Sequence, residues 1–101
     1  MAIAKNVSPD NRVITIRVKG RFDINVFDEF NSAYKDVSPP GEKYVVDLAE
    51  TEFLDSAALG MLLLMRERLE RFNAKAAIMN CPPKIKRTLV TVALHKLINI
   101  E

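Results

Sequence analysis

The sequence is poor in the residues on which most protein chemistry depends, with one cysteine, one histidine, three glycines and no tryptophan among 101 residues. A zinc centre of thiolates and imidazoles needs about four such ligands, and only Cys81 and His95 are at hand. A lone cysteine also excludes a disulfide framework and covalent haem attachment. It suits a reducing compartment, where a buried thiol is simply a small hydrophobe. Gly20, Gly41 and Gly60 lie about twenty residues apart, too far for a glycine-rich phosphate loop. Charge is nearly balanced, 15 Lys and Arg against 13 Asp and Glu, and no basic block argues for a nucleic-acid partner. Long apolar runs are missing too. The longest, Ala57 to Met65, is about half of a membrane span, and Met1 to Asn6 carries no signal-like stretch. The expectation is a cytoplasmic protein without membrane insertion, metal or cofactor.

What is present describes a globular domain. At 49% hydrophobic and 28% charged residues, the chain has the composition of one domain, residues 1–101, with a single core. Val13 to Val18 is rich in β-branched residues and alternates, with Ile14, Ile16 and Val18 on one face. Ile3 to Val7 pairs beside it across the Ser8-Pro9-Asp10-Asn11 turn. Gly20 to Asp23 breaks the pattern and leads into a helix near Asn25 to Asp36, where Val26, Phe27, Phe30, Ala33, Tyr34 and Val37 recur at helical spacing. Ser38-Pro39-Pro40-Gly41 stops that helix.

Tyr44 to Leu48 reads as a buried strand, and Ala49 to Asp55 as a polar loop anchored by Phe53 and Leu54. A helix runs from Ser56 to Phe72, with a core ladder of Ala58, Leu62, Met65, Leu69 and Phe72. Then come a strand, Lys75 to Met79, and a helix, Lys84 to Leu94, entered through Pro82-Pro83 and turning Ile85, Leu89 and Val92 inward. Leu97 to Ile100 makes a last strand. The order β-β-α-β-α-β-α-β predicts an α/β fold with a mixed, mostly parallel sheet flanked by helices.

The segment richest in chemical meaning runs from Val45 to Gly60: a strand, an acidic loop, then Asp55-Ser56 opening an apolar helix. Ser56 falls at or beside the N-cap, where its oxygen can accept a bond from an orphan backbone N–H. The same place would suit a phosphate, which would meet the positive end of the helix dipole. Asp23, just before the preceding helix, reads as a cap. The stretch from Ala57 to Met65 is more apolar than one core face requires. Either a wide stripe is wedged against neighbours, or Met61 and Leu64, in line with Ala57, form a patch that docks a partner.

Asp47-Leu48, Phe53-Leu54, Asp55-Ser56 and Leu59-Gly60, preceded by Gly20-Arg21-Phe22-Asp23, together resemble the signature of the STAS domain family, and specifically its free-standing anti-sigma factor antagonists. The resemblance covers essentially the whole chain. It implies partner switching: the unphosphorylated protein binds an anti-sigma factor or related Ser/Thr kinase of the histidine-kinase ATPase type, and the phosphorylated protein lets go. A Ser phosphatase resets it. Carried onto this chain, Ser56 is the acceptor, and Asp23, Asp55, Ser56, Ala57, Gly60, Met61 and Leu64 form the partner surface. No catalytic residue is implied. The resemblance also admits a non-switching binding subunit of a transporter or sensory assembly, with Ser56 merely a cap.

Phosphorylation adds about −1.5 to −2 charges. Asp47, Glu50, Glu52 and Asp55, with Asp23 on an adjoining loop, would already make the rim acidic. Two enzyme readings compete. Asp47 at a strand end invites comparison with receiver domains, but those need an acidic pair after their first strand for Mg²⁺, and here that strand ends Val18-Lys19-Gly20-Arg21. A Ser56–His95 hydrolase would lack the Gly-x-Ser-x-Gly elbow. Lys84, Lys86 and Arg87 read as a solvated helix face.

Overall fold

The computed structural model describes residues 2–35 and 43–101. The expected stop at Ser38 to Gly41, with Asp36 and Val37, lies outside the described residues. β1 (Ile3–Val7) and β2 (Val13–Val18) form the expected antiparallel pair, with Ile3 opposite Val18. Ser8 closes the turn by donating to Asp10 at 2.6 Å while accepting from the Val13 N–H at 3.1 Å. β4 (Lys43–Asp47), β6 (Lys75–Met79) and β7 (Asn99–Ile100) then add in parallel, giving the order β1-β2-β4-β6-β7.

Gly20 to Phe22, expected as a break, is a strand. β3 (Gly20–Phe22) pairs in parallel with β5 (Thr51–Leu54), which replaces most of the expected polar loop, and the two make a separate small sheet. Gly20 enters it at φ +79°, a conformation that disfavours side chains, and its N–H donates to the Glu50 carbonyl at 2.9 Å. Thr51, buried, ties the small sheet to the large one by donating to the Val18 carbonyl at 2.7 Å. With glycine scarce, Asn11, Asn73 and Asn80 take left-handed turns, which their short polar side chains tolerate.

Among the described residues, three helices connect the strands. A short 3₁₀ turn, Ile24–Val26, leads into α1 (Phe27–Tyr34); α2 is Ser56–Arg71 and α3 is Pro83–Thr91. α3 ends earlier than expected because Ala93 adopts a left-handed conformation, after which Leu94–Lys96 makes another 3₁₀ turn and leaves β7 only two residues. The core lies on one face of the large sheet. Ile14, Ile16, Val18, Tyr44, Val46 and Ile78 meet Phe30 of α1, Leu62 and Met65 of α2, and Ile85 and Leu89 of α3. The opposite face, carrying Thr15, Arg17, Val45 and Asp47, has no helix over it among the described residues.

Three expected core residues are corrected. Phe72 is exposed because α2 has ended, and its ring lies 5.7 Å from the Arg68 guanidinium. Val92 is exposed because it is the C-cap of α3, where the chain turns away. Phe53 is exposed because β5 turns it outward, under Arg21 at 4.1 Å from ring centre to guanidinium.

Candidate functional site

Pairing of the two short strands β3 and β5 builds the site. Phe22 lies in register with Leu54, so the next residues, Asp23 and Asp55, leave the small sheet side by side. Each caps the helical turn that it opens. Asp23 accepts from the Asn25 N–H at 3.0 Å and holds Arg21 at 3.3 Å. Asp55, in extended conformation, is the N-cap of α2 and accepts from the Ala58 N–H at 3.2 Å. These bonds satisfy donors that a helix start leaves orphaned.

Ser56 is therefore not the cap. It is the first helical residue, exposed, and its hydroxyl has no protein partner among the described residues. One turn on, Gly60 is exposed, and a β-carbon built there would meet nothing within 4 Å. Leu64, a further turn along, is 51% exposed and borders a groove of about 200 Å³ with Asn31, Tyr34 and Glu67, between α1 and α2. Ser56, Gly60 and Leu64 thus share one outward stripe, as an i, i+4, i+8 spacing requires. Ala57 is half-buried at its edge.

Met61 does not join them. It is 3% exposed and belongs to the core, because position 61 falls beside Ala58, Leu62 and Met65 on the inward face. Asp47 also leaves the expected acidic rim. It is 3% exposed, accepts from the Ala49 N–H at 2.9 Å and pairs with Arg17 at 3.5 Å on the helix-free side of the sheet. The rim that remains is Asp23, Glu50, Glu52 and Asp55, tempered by Arg21 and by Lys19, which shares a groove of about 380 Å³ with Gly20, Glu50 and Glu52.

Ile24, Phe53 and Arg21 belong to this surface although sequence reasoning does not find them. Ile24 is 62% exposed and comes directly after Asp23, while Phe53 precedes Leu54. Nothing in the sequence pattern distinguishes them from core residues, since the signal lies in the β3–β5 pairing. His95 is exposed on the 3₁₀ turn after α3, away from Ser56 in chain and element. Among the described residues no group of three or more His, Cys, Asp or Glu is placed to hold a metal ion, and no helix is long and apolar enough to cross a membrane. What the arrangement offers is a presented hydroxyl directly after the Asp55 cap, at the start of a helix whose outward stripe continues to Leu64.

Comparison with known proteins gives the family and the fold. A family model described as "Mlab, STAS domain" matches residues 6–99. A STAS-domain containing protein of Pseudomonas aeruginosa (strain UCBPP-PA14) is 39% identical over 101 residues, covering 100% of both chains. Among solved structures, an anti-sigma-factor antagonist (STAS) domain protein from Planctomyces limnophilus superposes with a TM-score of 0.81 at 16% identity, over 97% of this chain and 87% of that one. A sulfate transporter family protein from Wolinella succinogenes gives 0.76 at 13% identity, over 91% and 74%. These two likenesses establish the fold. With the Asp-Ser helix start, the single α/β fold and the family match in agreement, the chain belongs to the STAS domain family.

Proposed function

We propose that this protein is an anti-sigma factor antagonist that switches partners through phosphorylation of Ser56. The observation that carries the reading is the division of labour at the start of α2: Asp55 performs the capping, and the Ser56 hydroxyl is left exposed, with no partner among the described residues. A serine needed for the fold would be a poor switch. One that the fold does not use can be modified freely.

In this reading the unmodified stripe of Ser56, Gly60 and Leu64, with Asp23, Asp55 and Ala57 at its margin, binds an anti-sigma factor or related Ser/Thr kinase in the cytoplasm. A phosphoryl group on Ser56 places about −1.5 to −2 charges beside Asp23, Asp55 and Glu52. A partner surface fitted to a neutral hydroxyl then meets bulk and an unpaired buried charge. A loss of about 3 kcal/mol suffices to release it, since about 1.4 kcal/mol is tenfold in affinity. Phosphate at the first turn is compatible with the helix dipole, so the domain itself need not refold. A Ser phosphatase restores binding.

The test is incubation with ATP and a kinase of the histidine-kinase ATPase type, read by intact mass, then calorimetry against the anti-sigma partner. One added phosphate, absent from Ser56→Ala, with binding weakened by about a hundredfold or more, is the expected result. Phosphorylated protein that binds as tightly as the unmodified form would overturn the switch. Absence of any transfer would favour a non-switching subunit of a transporter or sensory assembly.

A further inference from the structure

From Phe72 to Ile100 the chain contains no aspartate or glutamate, yet it carries Lys75, Lys84, Lys86, Arg87 and Lys96. All five are exposed, and among the described residues none lies within ion-pair distance of a carboxylate. α2 shows how a solvated helix face is usually composed: Arg66 pairs with Glu70 at 2.9 Å and Arg71 with Glu67 at 3.2 Å, both at i, i+4. α3 has no such pairs. Its cations stand in the first half of the helix, with no acidic residue in the first turn and no basic one in the last, the reverse of what the helix dipole favours. The helix thus gains nothing from this charge arrangement.

The outward face of α3 is not purely charged. Ile85 and Leu89 point to the core, so the helical repeat sets Arg87 opposite them, and Val90, 43% exposed, one turn beyond Lys86 and Arg87. Beyond the helix, Leu97 is 48% exposed and borders a groove of about 310 Å³ with Lys75 and Ala76; Glu70 also lines that groove but is held by Arg66. Cations flanking isolated apolar residues define the class of ligand. Base stacking is not on offer, because no Phe, Tyr or Trp occurs after Phe72. Insertion into a bilayer is poorly served as well, since α3 spends Ile85 and Leu89 on the core and shows outward only Val90 and, at its C-cap, Val92.

We infer that the α3 face is a second interaction surface, which binds an acidic polypeptide segment carrying an apolar residue that rests on Val90. This goes beyond the switch at Ser56 and does not depend on it, so the Ser56→Ala protein should behave the same way.

The experiment uses the full chain and a fluorescein-labelled peptide of glutamates interrupted by two leucines, read by anisotropy at low salt. The peptide is expected to bind, and Lys84→Glu/Lys86→Glu/Arg87→Glu to weaken it by about tenfold or more, while Lys5→Glu/Lys19→Glu/Lys35→Glu, with the same change in net charge, changes it less than about twofold. Should the first triple variant fail to melt cooperatively, Lys86→Gln/Arg87→Gln replaces it, with a loss of about threefold or more expected. No peptide binding, equal losses in the α3 variants and the control triple, or tighter binding to phosphatidylglycerol vesicles or a DNA oligonucleotide would each overturn the proposal.

Discussion

Asp55, rather than Ser56, closes the first turn of α2, and the two residues should therefore respond differently to removal of their side chains. Asp55→Ala loses the bond to the Ala58 N–H and is expected to cost about 1 kcal/mol. In a domain of this size that lowers Tm by about 4–8 °C in a thermal melt. Ser56→Ala should change stability by less than about 0.5 kcal/mol, a Tm shift at most half that of Asp55→Ala, because no internal bond among the described residues is lost. Gly60 offers the complementary case. Nothing in the fold fills the space of its missing β-carbon, so Gly60→Ala should stabilise the chain by about 0.5–1 kcal/mol while weakening any partner that approaches the helix there. Calorimetric melting with a binding titration checks both halves. Cys81 is half-buried, and burial raises its thiol above the ordinary range, with the Lys86 ammonium opposing the shift. Since the thiolate is the nucleophile, iodoacetamide should modify Cys81 more slowly than free cysteine at pH 8 and catch up only at higher pH. Lys86→Gln should slow it further.

At the scale of elements, the long periodic segments are legible in the sequence and the short ones are not. Val13 to Val18 and the α2 ladder repeat over enough residues for their period to show, and β6 ends where the asparagine turn dictates. β3 and β5 are three and four residues long, too short for alternation to stand out, and only their pairing with each other reveals them. The site divides accordingly: Ser56 and Asp55 can be read from the helix start, whereas the adjacency of Asp23 and the exposure of Ile24 and Phe53 depend on that hidden pairing. Met61 escapes for a different reason. Ala57 to Met65 is so uniformly apolar that its pattern contains little contrast from which to choose an inward face. The small sheet also has an identifiable fastener. Thr51→Val keeps the shape but leaves the Val18 carbonyl without its hydroxyl partner, and is expected to cost about 1–3 kcal/mol in urea-induced unfolding.

Over the whole molecule, charge and packing are unevenly distributed. Acidic residues line the end that holds Ser56, and the stretch after α2 is free of them until Glu101, whose carboxyl Lys43 holds below the ordinary range at 2.8 Å. Packing is graded in the same molecule: β4 lies in the middle of the five-stranded sheet with partners on both sides, whereas β7 contributes two residues at an edge. Hydrogen–deuterium exchange read by mass spectrometry should show β4 protected until global unfolding and β7 exchanging by local fraying.

Among the described residues, the placement of all three helices on one face of the sheet also gives alternate residues of each strand different surroundings. Ile14, Ile16 and Val18 belong to the core cluster that the helices share, while Arg17 reaches across to the buried Asp47 on the next strand. The helix-free face is not free of constraint, since Val45, Asp47 and Ala77 are buried there against neighbouring strands. New surface chemistry is open there only at exposed positions such as Val13 and Lys75, which can change without disturbing the core that holds Ser56 in place.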